Sequence, residues 1–295
     1  MYFFMNSPII SIVVPCYNQS QYLRETLDSL LIQSISNWEC IIVNDGSTDN
    51  SLAVANRYVE KDNRFIVVDK PNGGLADARN VGIRSSHGKY VLPLDSDDLI
   101  APTYAEKAVS YLENHPEVIL VYCKAKYFGD RNDEWSLPDY DYYKLIFGNH
   151  IFCSCVFRRC DYDRTGGYNT NMIYGWEDWD FLLSLLNKDS IVYRIPEVLF
   201  FYRKHGTSMI DDIINKHYKE MGNRIVANHI DIYYPYLNEI LYIKRKDEEI
   251  DLLRKELENI KQSRTFRFTL FFMKALRPIL LIISEITSGL RKKRL

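Results

Sequence analysis

An α/β fold built on a doubly wound, mostly parallel sheet flanked by helices is predicted by two features of the sequence. Short β-branched apolar runs recur through roughly the first 120 residues, and the stretches between them carry apolar residues at helical spacing. That alternation implies repeated strand–helix–strand units with right-handed crossovers.

The elements follow in order. Residues 9–14 are β-branched at five of six positions and end at Pro15, which suits a strand buried on both faces. Leu23, Leu27, Leu30 and Leu31 then fall on one helix face. Residues 40–43 read as a second buried strand. Thr48 and Asp49 offer a helix cap, and Leu52, Ala55 and Val59 continue an amphipathic helix. Residues 65–68 form a third strand, 75–86 a third helix and 90–94 a fourth strand. Pro102 opens the next helix, with Tyr104, Ala108, Tyr111 and Leu112 on one face, and 118–122 is a fifth strand. Residues 124–175, rich in Tyr, Asp, Gly and Asn, read as irregular. A helix over 177–186, a short strand over 191–193 and a helix over 213–230 follow.

The chain is organised as a main domain over 1–210, a helical extension over 211–263 and a basic amphipathic tail over 264–295. In the extension, Ile243, Ile250 and Leu257 recur every seven residues with Leu253 and Ile260 between them, and Lys246 interrupts the seam. This short heptad segment, 243–260, fits a solvated packing helix or a homodimeric coiled coil. The tail mixes large apolar residues with eight basic ones against a single acid, Glu285. That mixture suits peripheral contact with an anionic membrane surface, or a helix packed on protein.

A net charge of −2 excludes a general polyanion binder, so no nucleic-acid partner is expected. Most of the six cysteines lie in apolar runs and read as buried, reduced thiols; Cys153, Cys155 and Cys160 match no zinc-site spacing. The N-terminus lacks a basic segment and a cleavage site, and no run of 18 uncharged apolar residues occurs. A cytoplasmic, reducing setting is the expectation.

In such sheets ligands bind beyond the carboxyl ends of the strands. Pro15-Cys16-Tyr17-Asn18 follows the first strand, where a turn is the plain account. Asn44-Asp45-Gly46-Ser47-Thr48-Asp49 follows the second; capping accounts for Thr48 and Asp49 and leaves Asp45 unexplained. Gly73-Gly74 allows close backbone approach to a ligand, and Arg79 beyond it meets an anion or is a surface arginine. Asp95-Ser96-Asp97-Asp98 after the fourth strand is the sharpest signal. Three carboxylates there repel one another with no structural demand for them, and hard oxygens suit Mg²⁺ or Mn²⁺. Gly82, Gly88 and Lys89 miss P-loop spacing by one residue, and no dinucleotide glycine signature follows the first strand. Farther on, Trp176-Glu177-Asp178-Trp179-Asp180 places acids at a helix start, where the dipole favours them, and flanks them with rings that suit a sugar. Tyr202-Arg203-Lys204-His205 opens a basic loop.

Taken in order, these elements resemble the family 2 glycosyltransferases of the GT-A fold, over about residues 8–210. The resemblance implies an inverting, metal-dependent hexosyltransferase. It would move a sugar from a nucleotide-diphosphate sugar, by default a UDP-sugar, to a hydroxyl of a glycan or lipid-linked glycan in cell-surface polysaccharide synthesis. It places Pro15, Tyr17, Asn18, Asp45, Gly74, Arg79, Asp95 and Arg203 among the nucleotide contacts. Asp97, Asp95 and His205 become ligands of Mn²⁺ or Mg²⁺. Asp178 becomes the general base, Glu177 its acceptor-positioning neighbour, and Trp176 an acceptor or sugar contact. Similar tails in the family imply a peripheral place at the inner face of the plasma membrane. Two other readings share the fold. A sugar-nucleotide-forming nucleotidyltransferase would want a Gly-rich, Lys-bearing N-terminal signature that is absent. A catalytically inactive glycan- or nucleotide-binding scaffold would not need Asp45, Asp95, Asp97 and Asp178.

Overall fold

The computed structural model describes residues 7–205 and 216–263. They divide into two compact units between Ile232 and Tyr233. The tail over 264–295 and the loop over 206–215 lie outside the described residues.

Strands β1 (Ile10–Cys16), β2 (Trp38–Asp45), β3 (Phe65–Lys70) and β4 (Tyr90–Pro93) pair in parallel in the order β3-β2-β1-β4. Every residue of β1, β2 and β4 is buried, which is why their sequences are near-continuously apolar. Helices α1 (Leu23–Leu31), α2 (Ser51–Lys61) and α3 (Leu75–Arg84) make the crossovers. The strand order reverses at β1, so the loops after β1, β2 and β4 open side by side. Asp49, not Thr48, serves the start of α2: its Oδ1 accepts from the Ser51 amide at 2.9 Å, whereas the Thr48 amide donates to Asn18 Oδ1 at 2.8 Å.

The second half departs from the expected succession. After β5 (Leu99–Ile100) and α4 (Tyr104–Asn114), strand β6 (Val118–Gly129) does not join β4. The short strand β8 (Val156–Arg158) lies antiparallel between them. The stretch 124–175 is therefore not irregular throughout. It holds the end of β6, β7 (Glu134–Trp135), α5 (Tyr142–Leu145), β8 and α6 (Arg159–Thr165). These pieces run for two to seven residues, too short to show a periodicity. Helix α7 (Glu177–Leu185) precedes β9 (Ile191–Lys204), which runs parallel to β6. β9 is far longer than the expected 191–193. Pro196 looks like a strand end, but Ile195 faces Cys123 and Val198 faces Lys124, so Pro196 and Glu197 are bulged out of the ladder.

The glycines that imitate a P-loop serve packing. A Cβ on Gly82 would overlap the Val13 side chain and come within 3.0 Å of Val43 Cγ2; one on Gly88 would meet the Ser11 amide at 2.5 Å. Gly82 thus lets α3 settle on β1 and β2. The thiols of Cys16, Cys40, Cys123 and Cys155 are buried, Cys153 is half-buried and Cys160 is exposed; all are free. The helix Tyr218–Asn228 belongs to the first unit, and the helix Leu237–Gln262 spans the heptad segment in the second. Among the described residues no helix is long and apolar enough to cross a membrane.

Gly82→Val should destabilise the protein by about 1–3 kcal/mol, the usual effect of overpacking. A urea unfolding midpoint equal to the wild type's would show that α3 does not need this contact.

Candidate active site

The loops gather around one buried cation. Arg79 projects from the first turns of α3 and is 1% exposed. Its Nη1 donates to Glu177 Oε1, and its Nη2 donates to Asp95 Oδ1 at 2.7 Å. The Tyr168 ring lies 5.5 Å from the guanidinium. A guanidinium is always charged and presents a rigid fork, so it can hold two carboxylates that an ammonium would hold less well. Arg79 is thus neither a surface residue nor open to a phosphate in this state. It ties the acid after β4 to the acid that begins α7.

Asp95 is half-buried, and its other oxygen accepts from Cys153 Sγ at 3.3 Å. Burial, and next the Asp95 charge, hold the Cys153 thiol well above its ordinary pKa, so it stays protonated and donates. Asp97 faces the other way. Its Oδ2 lies 3.0 Å from His205 Nε2, and the His205 ring packs on Tyr22 at 4.5 Å. Burial and the nearby Asp95 charge raise the Asp97 pKa, and His205 opposes the rise. Asp98 is a different case. It is 0% exposed, one oxygen accepts from the Arg203 amide at 2.8 Å, and the other has no hydrogen-bond partner. Burial, then the charges of Asp97 and Asp95, push its pKa well above the carboxylate range. The third acid of the cluster is therefore a core residue that anchors β9, not a crevice carboxylate.

Arg203 completes that anchor. Its Nε donates to the Asp97 carbonyl at 2.8 Å and its Nη2 to Glu25 Oε2 at 2.9 Å, with its guanidinium between the rings of Tyr22 and Phe128. It braces the backbone of the acidic loop and does not point freely at a diphosphate.

Asp45 also differs from expectation. It is 3% exposed and accepts from the amides of Gly73 and Gly74, each at 2.9 Å, and from Lys70 Nζ. Lys70 also reaches Asp77 at 2.8 Å. The carboxylate that capping left unexplained holds the glycine turn, where Gly74 has a left-handed φ of 87°. Pro15 is buried in β1, Tyr17 is 50% exposed beside it, and Asn18, at φ 54°, clamps the 47–49 loop through its side chain.

At the other wall, Glu177 is 4% exposed and committed to Arg79, whereas Asp178 is half-buried. Asp178 Oδ2 accepts from Asn149 Nδ2 at 3.0 Å and Oδ1 from the Trp179 amide at 2.8 Å. Burial and then the Glu177 charge push the Asp178 pKa up to about 7. Trp176 stands just before α7 with a φ of 62°, rare for a bulky residue, and its ring meets Trp179 and Tyr218 edge-on. Trp179 is buried with its Nε1 on the Leu145 carbonyl, so of the two tryptophans only Trp176 borders the crevice. Asp180 is buried on Asn228 and belongs to the packing. Asn149 and Asn80 were not singled out from the sequence, and Cys153 was weighed there only as a zinc ligand. Asn80 grips Tyr168 through its amide and carbonyl, at 2.8 and 2.7 Å, and so sets the loop before α7. Its one signal was its place beside Arg79.

Two half-buried groups, Asp97 and His205, are the best placed to hold a divalent ion, with Asp95 next along the loop. Among the described residues no group of three or more His, Cys, Asp or Glu side chains is gathered as a metal site. A carboxylate oxygen with an imidazole nitrogen fits Mn²⁺ or Mg²⁺ when phosphate oxygens fill the remaining positions.

Known proteins place this arrangement. The profile described as glycosyl transferase family 2 matches residues 11–174, which hold Asp45, Arg79, Asp95 and Asp97. An uncharacterized glycosyltransferase of Haemophilus influenzae is 30% identical over 251 residues, covering 80% of this chain and 76% of that protein. The putative glycosyltransferase EpsH of Bacillus subtilis is 40% identical over 116 residues; the match covers 39% of this chain and 34% of EpsH. Among solved structures, TarS of S. aureus in complex with UDP-GlcNAc superposes with a TM-score of 0.61 at 21% identity, over 74% of this chain and 66% of that one. The mannosyltransferase PcManGT of Pyrobaculum calidifontis, in complex with GDP-Man and Mn²⁺, gives 0.54 at 18% identity, over 92% and 85%. These two share the fold, a curled α/β sheet of GT-A type. With its acidic loop, its glycine turn and the arginine between them all inside the matched segment, the chain belongs to glycosyl transferase family 2.

Proposed function

We propose that the chain transfers a sugar with inversion from a nucleoside-diphosphate sugar to a hydroxyl of a glycan or lipid-linked glycan in cell-surface polysaccharide synthesis. The observation that carries this reading is the Arg79 bridge. One buried guanidinium joins Asp95 of the acidic loop, two residues before Asp97, to Glu177, the chain neighbour of Asp178. A UDP-sugar is the preferred donor, by family resemblance and by the UDP-GlcNAc held in TarS.

In this mechanism Asp178 accepts the proton of the acceptor hydroxyl as that oxygen attacks the anomeric carbon. The bond to the diphosphate breaks on the opposite face, the nucleoside diphosphate leaves, and one displacement inverts the centre. A carboxylate with a pKa near 7 is a stronger base than an exposed one and still half ionised at neutral pH. Asn149 and the Trp179 amide orient it. A divalent ion on Asp97 and His205 would supply positive charge to the leaving diphosphate. Trp176 offers a ring face beside the base for the acceptor sugar. Beyond the described residues, the basic tail over 264–295 supports a peripheral place on an anionic cytoplasmic leaflet.

The following outcomes are expected. With Mn²⁺ present, one nucleoside diphosphate among UDP, GDP and dTDP should raise the melting temperature by several degrees, since a ligand at 100 times its Kd stabilises by about 2.7 kcal/mol. Asp97→Ala should abolish the rise, and a flat response to the whole panel would count against a nucleotide-sugar enzyme. Asp178→Asn should lower turnover by about 10²–10⁴ with donor binding retained. Wild-type rate should climb with pH through about 7 as Asp178 loses its proton. The Asp178 contribution to folding stability should fall as pH rises from about 4 to about 7 and be level above that, because its folded pKa exceeds the unfolded value of about 3.9. A rate that is level between pH 5.5 and 8, roughly the span over which such a group titrates, would remove Asp178 from the role. Arg79→Leu should destabilise by about 3 kcal/mol, the lower end for a broken buried pair because Asp95 is partly solvated. Chemical denaturation with an unchanged midpoint would show that the bridge is dispensable.

A further inference from the structure

The helix Leu237–Gln262 runs for 26 residues, about 39 Å at 1.5 Å per residue. Along it Ile250, Leu253 and Leu257 are 44%, 55% and 50% exposed, an apolar stripe open to solvent in a single chain. In heptad notation, positions 243, 250 and 257 are a, and 246, 253 and 260 are d. That makes every a and d residue apolar except Lys246. We propose that this stripe is covered by the same stripe of a second copy of the chain, in a parallel, in-register, two-stranded coiled coil.

The charges flanking the stripe select that partner and that orientation. The g positions hold Glu249 and Glu256, and the next e positions hold Arg254 and Lys261. In a parallel pair each g residue faces the e residue five places on in the other helix. Glu249 of one copy therefore faces Arg254 of the other, and Glu256 faces Lys261, twice over by symmetry. An antiparallel pair sets g against g and e against e, which places glutamates together and Arg254 near Lys261. A copy of the same sequence thus complements itself only when the helices run the same way. Ile250 at a with Leu253 at d suits two strands, while Leu257 at a with Ile260 at d suits more, so the strand number is read from the mass. Lys246 sets the register. Its ammonium already reaches Glu249 at 2.7 Å in its own helix, whereas a shift of one heptad would lay it against Leu253. The intrahelical contacts of Arg254 with Asp251 and of Lys261 with Glu258, at 3.3 and 3.0 Å, are exposed pairs of little strength and leave both side chains free to turn.

Light scattering of the full chain decides the matter, since a dimer has twice the 34.8 kDa of one chain. Wild type should show the doubled mass. The double variant Glu249→Lys with Glu256→Lys should be monomeric, as should Arg254→Glu with Lys261→Glu. An equimolar mixture of the two should recover the dimer, which also shows that both variants are folded. Leu257→Cys, off the middle of the segment, should cross-link to itself on mild oxidation in a Cys160→Ser background when the Cys160→Ser parent, which lacks the exposed native thiol, does not. A monomeric wild type, dimers that survive either charge reversal, or no Leu257→Cys cross-link would overturn the proposal.

Discussion

Burying one guanidinium between two carboxylates is the constraint on which the rest of the site depends. Arg79 sits in a dry place, and Asp95 and Glu177 together compensate its charge there. The two acids come from loops 82 residues apart in the chain, counted from their numbers. Their mutual attraction to one cation is what keeps α7 against the carboxyl end of β4. Other contacts support the same corner. Asn80 fixes Tyr168, and Tyr168 lies beside the guanidinium. Gly82, on the same helix, lets α3 approach the sheet closely enough for Arg79 to reach both partners.

Neighbouring acids receive opposite treatment, and that contrast organises the chemistry. Glu177 is paired with Arg79, while Asp178 next to it has only neutral donors, an asparagine amide and a backbone amide. One is fixed as part of the frame, and the other keeps a proton affinity near neutrality. The acidic loop repeats the pattern. Asp97 meets an imidazole at the crevice, whereas Asp98 turns into the core and takes the Arg203 amide. Environments that separate adjacent carboxyl groups in this way let one loop hold a structural acid beside a differently titrating one.

β1, β2 and β4 were legible because burial on both faces leaves an apolar, β-branched run with no alternation to confuse it. β8 was not legible: three residues carry no period, and its place between β4 and β6 is a tertiary fact. β9 was cut short in the sequence because Pro196 looks like an end, and only its pairing with β6 reveals the bulge that admits it. In the site, Asp95 and Asp97 stood out as charges with no local use. Asp98 could not be told from them, since the turn that sends it inward depends on β5 pairing with β9 about a hundred residues away. Asp45 was noticed for its isolation, but the amides that hold it belong to a turn 28 residues on. Cys153 and Asn149 lie in a stretch with no helical or strand period, and only the folded chain brings them to Asp95 and Asp178.

The three-cornered contact of Arg79, Asp95 and Glu177 also bears on how such a chain can evolve. Losing Arg79 would leave two carboxylates facing each other without a cation, whereas losing either acid would leave the guanidinium one partner short. The three positions are therefore coupled to one another through this contact. Exposed Tyr17 and half-buried Trp176 lie outside this interior triangle and can change without disturbing its charges.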